Sequence, residues 1–123
     1  MTDSKLIDSS VWLEYLIHGK YKDLFETKEI LHLSVLSLFE IKRKLIRDKF
    51  NTNEIITVLE FVKKRMMIVP VSAEISNKAV ELSLQYKLGA MDALIYASAA
   101  LHRAVLITCD NDFRRLPEVT ILS

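Results

Sequence analysis

Apolar residues come along this chain in short blocks, each closed by a polar residue, and the spacing inside the blocks switches between strand and helix rhythms. Leu6-Ile7 ends in Asp8, after which Val11, Leu13, Leu16 and Ile17 recur at helical spacing, predicting strand, tight turn and helix. A short helix over 20–28 precedes a strand over 30–33 and a helix from about Ser34 that carries Glu40. Thr52 or Asn53 is placed to cap the next helix, whose apolar positions Ile55, Ile56, Leu59, Phe61 and Val62 lead into "MMIVPV", a strand stopped by Pro70. Ser72 caps a helix to about Tyr86. Gly89 then breaks the pattern, and "AMDALIYASAALHRA" starts another helix with Asp92 in its first turn. A strand over 105–108, a short helix at "NDFRRL" and a last strand over 119–122, after a turn containing Pro117, complete the chain.

Strands alternating with helices predict a three-layer α/β/α domain with a mainly parallel central sheet of about five strands, covered on both faces. With 123 residues, 50% of them hydrophobic, the chain suits a single domain over 1–123. A domain of that size buries roughly two-thirds of its unfolded surface. Charges interrupt every apolar stretch before the ~20 residues a bilayer span needs, and "MTDSKLIDSS" lacks a basic segment followed by a hydrophobic one. The expectation is a soluble cytoplasmic protein without a membrane partner. Cys109 is the only cysteine, which excludes an internal disulfide, and His18, His32 and His102 have no ligand spacing with it, which argues against zinc or iron–sulfur chemistry. A net charge of +1 says little about partners, because a nucleic-acid binder can gather its basic residues on one face.

The acids carry more information. Asp8 and Asp110 each follow a strand, and the carboxyl ends of parallel strands share one edge, where ligands usually bind. Glu40, early in the helix leaving the second strand, and Asp92, opening the helix that leads to the fourth, can point to the same edge. Carboxylates gathered within about 5 Å repel by roughly 3 kcal/mol per pair at an effective dielectric near 20, so they either take up protons or hold a cation. An oxygen-only ligand set favours Mg²⁺ or Mn²⁺. Such a site suits phosphodiester cleavage, in which the ion neutralises phosphate charge and activates water. Ser10 and Thr108 flank the strand-end acids and can orient them through their hydroxyls.

Each residue also has a purely structural explanation. Asp8 can cap the helix that begins near Ser10, and Ser37-Leu38-Phe39-Glu40 matches a capping box. Asp92 suits the positive end of a helix dipole, and Asp110 and Asp112 suit a turn. Trp12 and Tyr15 read as core or interface. "KRKLIRDK" reads as a solvated helix face, from which Lys42, Arg43, Lys44 and Arg47 could meet phosphates. Cys109 reads as a small buried residue. The joint arrangement of the acids, rather than any one of them, points to chemistry.

Taken together and in order, "LIDSSVWLEYL", "LSLFEIKRKL", "GAMDALIYASAA" and "LITCDNDFRRL" resemble the PIN-domain family, and within it the VapC-type toxins of prokaryotic toxin–antitoxin pairs. The resemblance spans nearly the whole chain. It implies Asp8, Glu40, Asp92 and Asp110 as the four catalytic, metal-binding acids, with Asp112 sharing or replacing the role of Asp110, and Ser10 and Thr108 as the accompanying hydroxyls. It further implies a Mg²⁺- or Mn²⁺-dependent endoribonuclease acting on RNA, a homodimer, and a cognate VapB-type antitoxin whose tail occupies the active-site groove. The alternatives are a PIN nuclease of RNA processing, a PIN fold that only binds a partner, and a phospho-acceptor receiver domain, which also places acids at strand ends.

Overall fold

A computed structural model describes residues 4–123. Its elements run β1 (Lys5–Ile7), α1 (Ser9–His18), α2 (Lys22–Phe25), β2 (Leu31–Ser34), α3 (Val35–Arg47), α4 (Thr52–Arg65), β3 (Met66–Val69), α5 (Ala73–Tyr86), α6 (Ala90–Leu101), β4 (Val105–Thr108), a 3₁₀ turn (Asn111–Phe113) and β5 (Val119–Ile121). The strands form one parallel sheet in the order β3-β2-β1-β4-β5, with Leu6 opposite Leu106 and His32, and Leu33 opposite Ile68.

Side-chain alternation divides the core into two halves, one on each face of the sheet. Leu6 and Leu106 join Val69, Ile75, Leu82, Ile95, Tyr96 and Phe113 on the side of α5 and α6. Ile7 and Ile107 join Trp12, Leu31, Leu33, Ile41 and Val62 on the side of α1, α3 and α4. Because both faces are covered, β1 and β4 are apolar at consecutive positions rather than alternating. Trp12 is fully buried against Phe25, with ring centroids 4.2 Å apart, and Tyr15 meets its edge at 5.8 Å, so both belong to the core.

The order of the strands positions the site. From β1 the chain steps outward through β2 to β3, and α5 and α6 then carry it back to lay β4 on the other side of β1. The direction of winding reverses between β1 and β4, and in open parallel sheets a crevice forms at that reversal, beyond the carboxyl ends of the strands. The same order excludes the receiver alternative, whose sheet runs 2-1-3-4-5. Among the described residues, no helix is long and apolar enough to cross a membrane.

Local chemistry departs from the sequence expectation at several boundaries. The helix expected over 20–28 is a single turn, Lys22–Phe25, because Arg65 donates to the carbonyls of Phe25, Thr27 and Glu29 and holds the following segment as a loop. β2 begins at Leu31 rather than residue 30, and β5 ends at Ile121 rather than residue 122. Asn51, not Thr52 or Asn53, caps α4: its side chain accepts from the Glu54 N–H at 2.8 Å, and Glu54 accepts from the Asn51 N–H at 3.1 Å. The break before α6 lies at Lys87, whose left-handed φ of 56° closes α5, while Gly89 is an extended residue capping α6 without a side-chain bond.

Asn51→Ala should therefore lower unfolding stability by about 1 kcal/mol, read from urea midpoints, whereas Asn53→Ala should stay within roughly ±0.5 kcal/mol. Equal losses at both positions would contradict this cap.

Candidate active site

The carboxyl edge is stitched together at the β1–β4 pair. The Asp8 N–H donates to the Ile107 carbonyl at 2.9 Å, so Asp8 is still held by the sheet where its side chain emerges. The residue is 5% exposed. Its carboxylate Oδ1 accepts from the Ser9 N–H at 2.9 Å, and Oδ2 accepts from the Ser10 hydroxyl at 2.9 Å and the Thr108 hydroxyl at 2.7 Å. Each hydroxyl has one proton and gives it to Asp8, and each then accepts a backbone N–H from just beyond β4: Cys109 to Ser10 and Asp110 to Thr108, both at 3.0 Å. The 3.3 Å approach of Ser10 Oγ to Thr108 Oγ1 is thus a contact with no proton left to share. Asp8 does start α1, and the same carboxylate anchors the end of β4.

Glu40 reaches this edge from α3. Ser34, not Ser37, caps that helix, accepting from the Leu36 N–H at 3.1 Å, while Ser37 lies buried inside it with its hydroxyl unpartnered. The Ser37–Glu40 capping box is therefore absent, and the Glu40 carboxylate is free for another role. Its Oε1 accepts from the Ser9 hydroxyl at 3.0 Å. Sequence reasoning passed over Ser9, which contacts both acids; the signal was the doubled hydroxyl in "DSS" directly behind a strand.

Asp92 stands in the first turn of α6, whose amino end has no side-chain cap. Asp110 caps the 3₁₀ turn by accepting the Asp112 N–H on Oδ1 at 2.8 Å. This bond curls the backbone so that Asp92, Asp110 and Asp112 each offer a carboxylate oxygen within 4.8 Å of the others. Cys109, expected to be buried, is only half-buried, with its thiol 3.7 Å from the Tyr21 hydroxyl.

The electrostatics follow from this crowding. Burial, then the charges of Asp110, Asp8, Asp112 and Glu40, push the Asp92 carboxyl up to about 6. Burial also raises Glu40, with Asp8 and Asp110 adding to the shift, while the Ser9 bond and, least, Arg43 work against it. Asp8 is raised by burial and by Asp110 despite its three hydrogen bonds. Repulsion among the acids outweighs the help they receive from basic residues. An all-oxygen donor set with this uncompensated charge fits a hard divalent cation, and Asp92, Asp110 and Asp112 are the groups that would hold it, while Asp8 and Glu40 lie outside that trio and act on Asp92 through their charge.

A cleft of about 200 Å³ opens beside Glu40, lined by Ser9, Leu13, Glu40, Arg43, Lys44 and Arg47. Glu40, Arg43, Lys44 and Arg47 share one helix face by their i, i+3, i+4, i+7 spacing. Lys42, about 200° around the helix from Glu40, does not line the cleft. Lys44 is also paired with Asp48 at 3.2 Å, which leaves Arg43 and Arg47 as the cations of the cleft without a salt bridge among the described residues.

A parallel 3-2-1-4-5 sheet with carboxylates gathered at its winding reversal defines the class of fold and site. Residues 5–119 match the PIN domain family, and the chain belongs to it. Among solved structures, it is similar to a toxin–antitoxin complex from Klebsiella pneumoniae, with TM-score 0.81 and 24% identity over 94% of this chain and 95% of that one. It is similar also to VapBC2 from Rickettsia felis bound to a DNA fragment from their promoter, with TM-score 0.81 and 17% identity over 98% and 99%. A third likeness is to VapC20 from Mycobacterium tuberculosis, a sarcin–ricin loop cleaving toxin, with TM-score 0.72 and 19% identity over 89% and 92%. At these identities the likeness is one of fold. No curated protein matches the chain in sequence.

The raised Asp92 sets a pH dependence with a definite sign. A folded-state pKa of about 6 against an ordinary 3.8 means the native protein binds more protons than the unfolded chain between those values. The contribution of Asp92 is thus fully present below pH about 4 and is lost as pH rises through about 6. In urea titrations of metal-free protein, Asp92→Asn should be stabilised relative to wild type at pH 7 more than at pH 4. A difference independent of pH would show that Asp92 feels no such crowding.

Proposed function

We propose that this chain is a divalent-metal-dependent endoribonuclease, and that it acts as the toxin of a toxin–antitoxin pair with a VapB-type antitoxin as its partner. The observation that carries this reading is the meeting of Asp92, Asp110 and Asp112 with Asp8 and Glu40 beside a cleft that presents Arg43 and Arg47. The single PIN domain supplies both parts, acids for the ion and cations for the substrate. The reading is supported by the fold shared with the Rickettsia felis and Klebsiella pneumoniae complexes and with a toxin that cleaves the sarcin–ricin loop.

Mg²⁺ or Mn²⁺, when bound, supplies neutralisation of phosphodiester charge and an activated water for in-line attack. The protein's own task is to hold five carboxylates where they would not gather unaided. Ser10 and Thr108 keep Asp8 oriented, and the Asp110–Asp112 turn brings two carboxylates up to Asp92. Arg43 and Arg47 take RNA phosphates along the cleft, placing the strand across the acids, with Lys44 shared between Asp48 and the substrate. A homodimer is part of the same reading: Val35, Phe39 and Ile46 form an exposed apolar stripe along α3 that a second copy would cover. The cytoplasm is where its substrate and partner would be met.

RNA cleavage by purified chain should require Mg²⁺ or Mn²⁺, stop with EDTA, and be lost in Asp8→Asn by a factor of 100 or more, on the order of removing one electrostatic catalytic group. The amide can still accept from the Ser9 N–H, and the two hydroxyls can turn to accept from its NH₂, so the melting temperature should fall little. Undiminished cleavage by a well-folded Asp8→Asn protein would contradict the mechanism. Arg43→Ala and Arg47→Ala should each weaken RNA binding alike across sequences and lower the slope of log affinity against log salt by about 1.

A further inference from the structure

We propose that Ser9 is a positioning residue that selects the working orientation of Glu40, holding its carboxylate with Asp8 instead of letting it swing to Arg43. The inference rests on the metal-site reading above and adds a residue to it. Ser9 is the first residue of α1 and is 8% exposed. Its N–H is fixed on Asp8 Oδ1 at 2.9 Å, so its hydroxyl has a defined starting point and extends 3.0 Å to Glu40 Oε1, a residue 31 positions away on another helix. One residue therefore joins two acids from different elements, Asp8 through its backbone N–H and Glu40 through its hydroxyl.

The need for such a lock comes from Glu40 itself. It is the longest of the clustered acids, and a glutamate side chain loses substantial rotamer freedom when held. Arg43 stands one turn further along the same face of α3, at the i+3 spacing that favours ion pairing, and lines the same cleft. Without the Ser9 hydroxyl, no other hydrogen-bond donor to Glu40 is present among the described residues, and the Arg43 guanidinium is a competing charge on its helix that already acts on the carboxylate. Removing the hydroxyl would turn Glu40 from a member of the acid cluster into half of a surface ion pair. That would also draw Arg43 away from the substrate cleft. Ser10 and Thr108 cannot substitute, because both give their only proton to Asp8.

The test is Mn²⁺ binding to the metal-free protein by isothermal titration calorimetry, in a mutant cycle. Ser9→Ala should weaken Mn²⁺ binding about tenfold, the lower end of what orienting partners of metal ligands contribute. Ser9→Thr, which restores the hydroxyl, should recover most of that loss. In a Glu40→Ala background, Ser9→Ala should have no further effect, because a residue that acts through Glu40 has nothing left to act on. Metal-free melting temperatures, measured alongside, should stay within a few degrees of wild type for Ser9→Ala. Wild-type affinity in Ser9→Ala, an equal loss in Ser9→Ala and Ser9→Thr, or an undiminished Ser9→Ala effect without Glu40 would each overturn the proposal while leaving the metal site standing. Wild-type protein that takes up no Mn²⁺ would overturn the metal-site reading, and this inference with it.

Discussion

The pairing of β1 with β4 is the constraint from which the site follows. Two strands about a hundred positions apart in the chain lie side by side in register, Leu6 on Leu106 and Ile7 on Ile107. The polar residues that end them, Asp8 and Thr108, are thereby brought to a 2.7 Å hydrogen bond. The winding of the sheet reverses at this pair, so no helix covers the carboxyl edge there, and the acids borne on α3, α6 and the 3₁₀ turn can gather around it. A slip of one residue in that register would exchange the two faces of β4, move Leu106 and Ile107 out of their halves of the core, and separate Thr108 from Asp8.

Two kinds of carboxylate result. Asp8 takes three donors, the Ser9 N–H and the hydroxyls of Ser10 and Thr108, and serves as the fixed point of the arrangement. Asp92 has no side-chain hydrogen bond among the described residues, and burial, then the repulsion of its neighbours, raises it to about 6. Glu40 lies between these extremes, with one donor and one arginine nearby. Asp92, Asp110 and Asp112 place like charges within 4.8 Å of one another, an arrangement that costs stability unless a proton or a cation relieves it. The crowding makes physical sense when a cation completes it.

The fold was legible because its signals are local and repeated. Apolar doublets closed by a polar residue marked β1 and β4, Ser72 marked the start of α5, and the alternation of elements required parallel pairing. The acids at strand ends could be expected to share an edge for the same reason. What stayed hidden depended on contacts between distant segments. Arg65 reaches back to the carbonyls of 25–29 and cuts α2 to one turn, which no local pattern announces. Ser34 rather than Ser37 caps α3 because the helix starts directly behind β2, at Val35, which puts Ser37 inside it. Ser9 was overlooked because its role needs Glu40, on another helix, to become visible. The separation of Lys42 from Arg43, Lys44 and Arg47 follows from helix phase once the inward face of α3 is fixed by Ile41 and Leu45.

The central claim, that these carboxylates are held in mutual repulsion for a divalent ion to relieve, can be measured through protons. Calorimetric titration of metal-free protein with Mn²⁺, in buffers of different ionisation enthalpy, counts the protons displaced by the ion. Because Asp92 titrates near 6, Mn²⁺ should displace a substantial fraction of a proton at pH 6 and almost none at pH 8. Binding that releases no proton at pH 6, or that releases the same number at both values, would contradict the account.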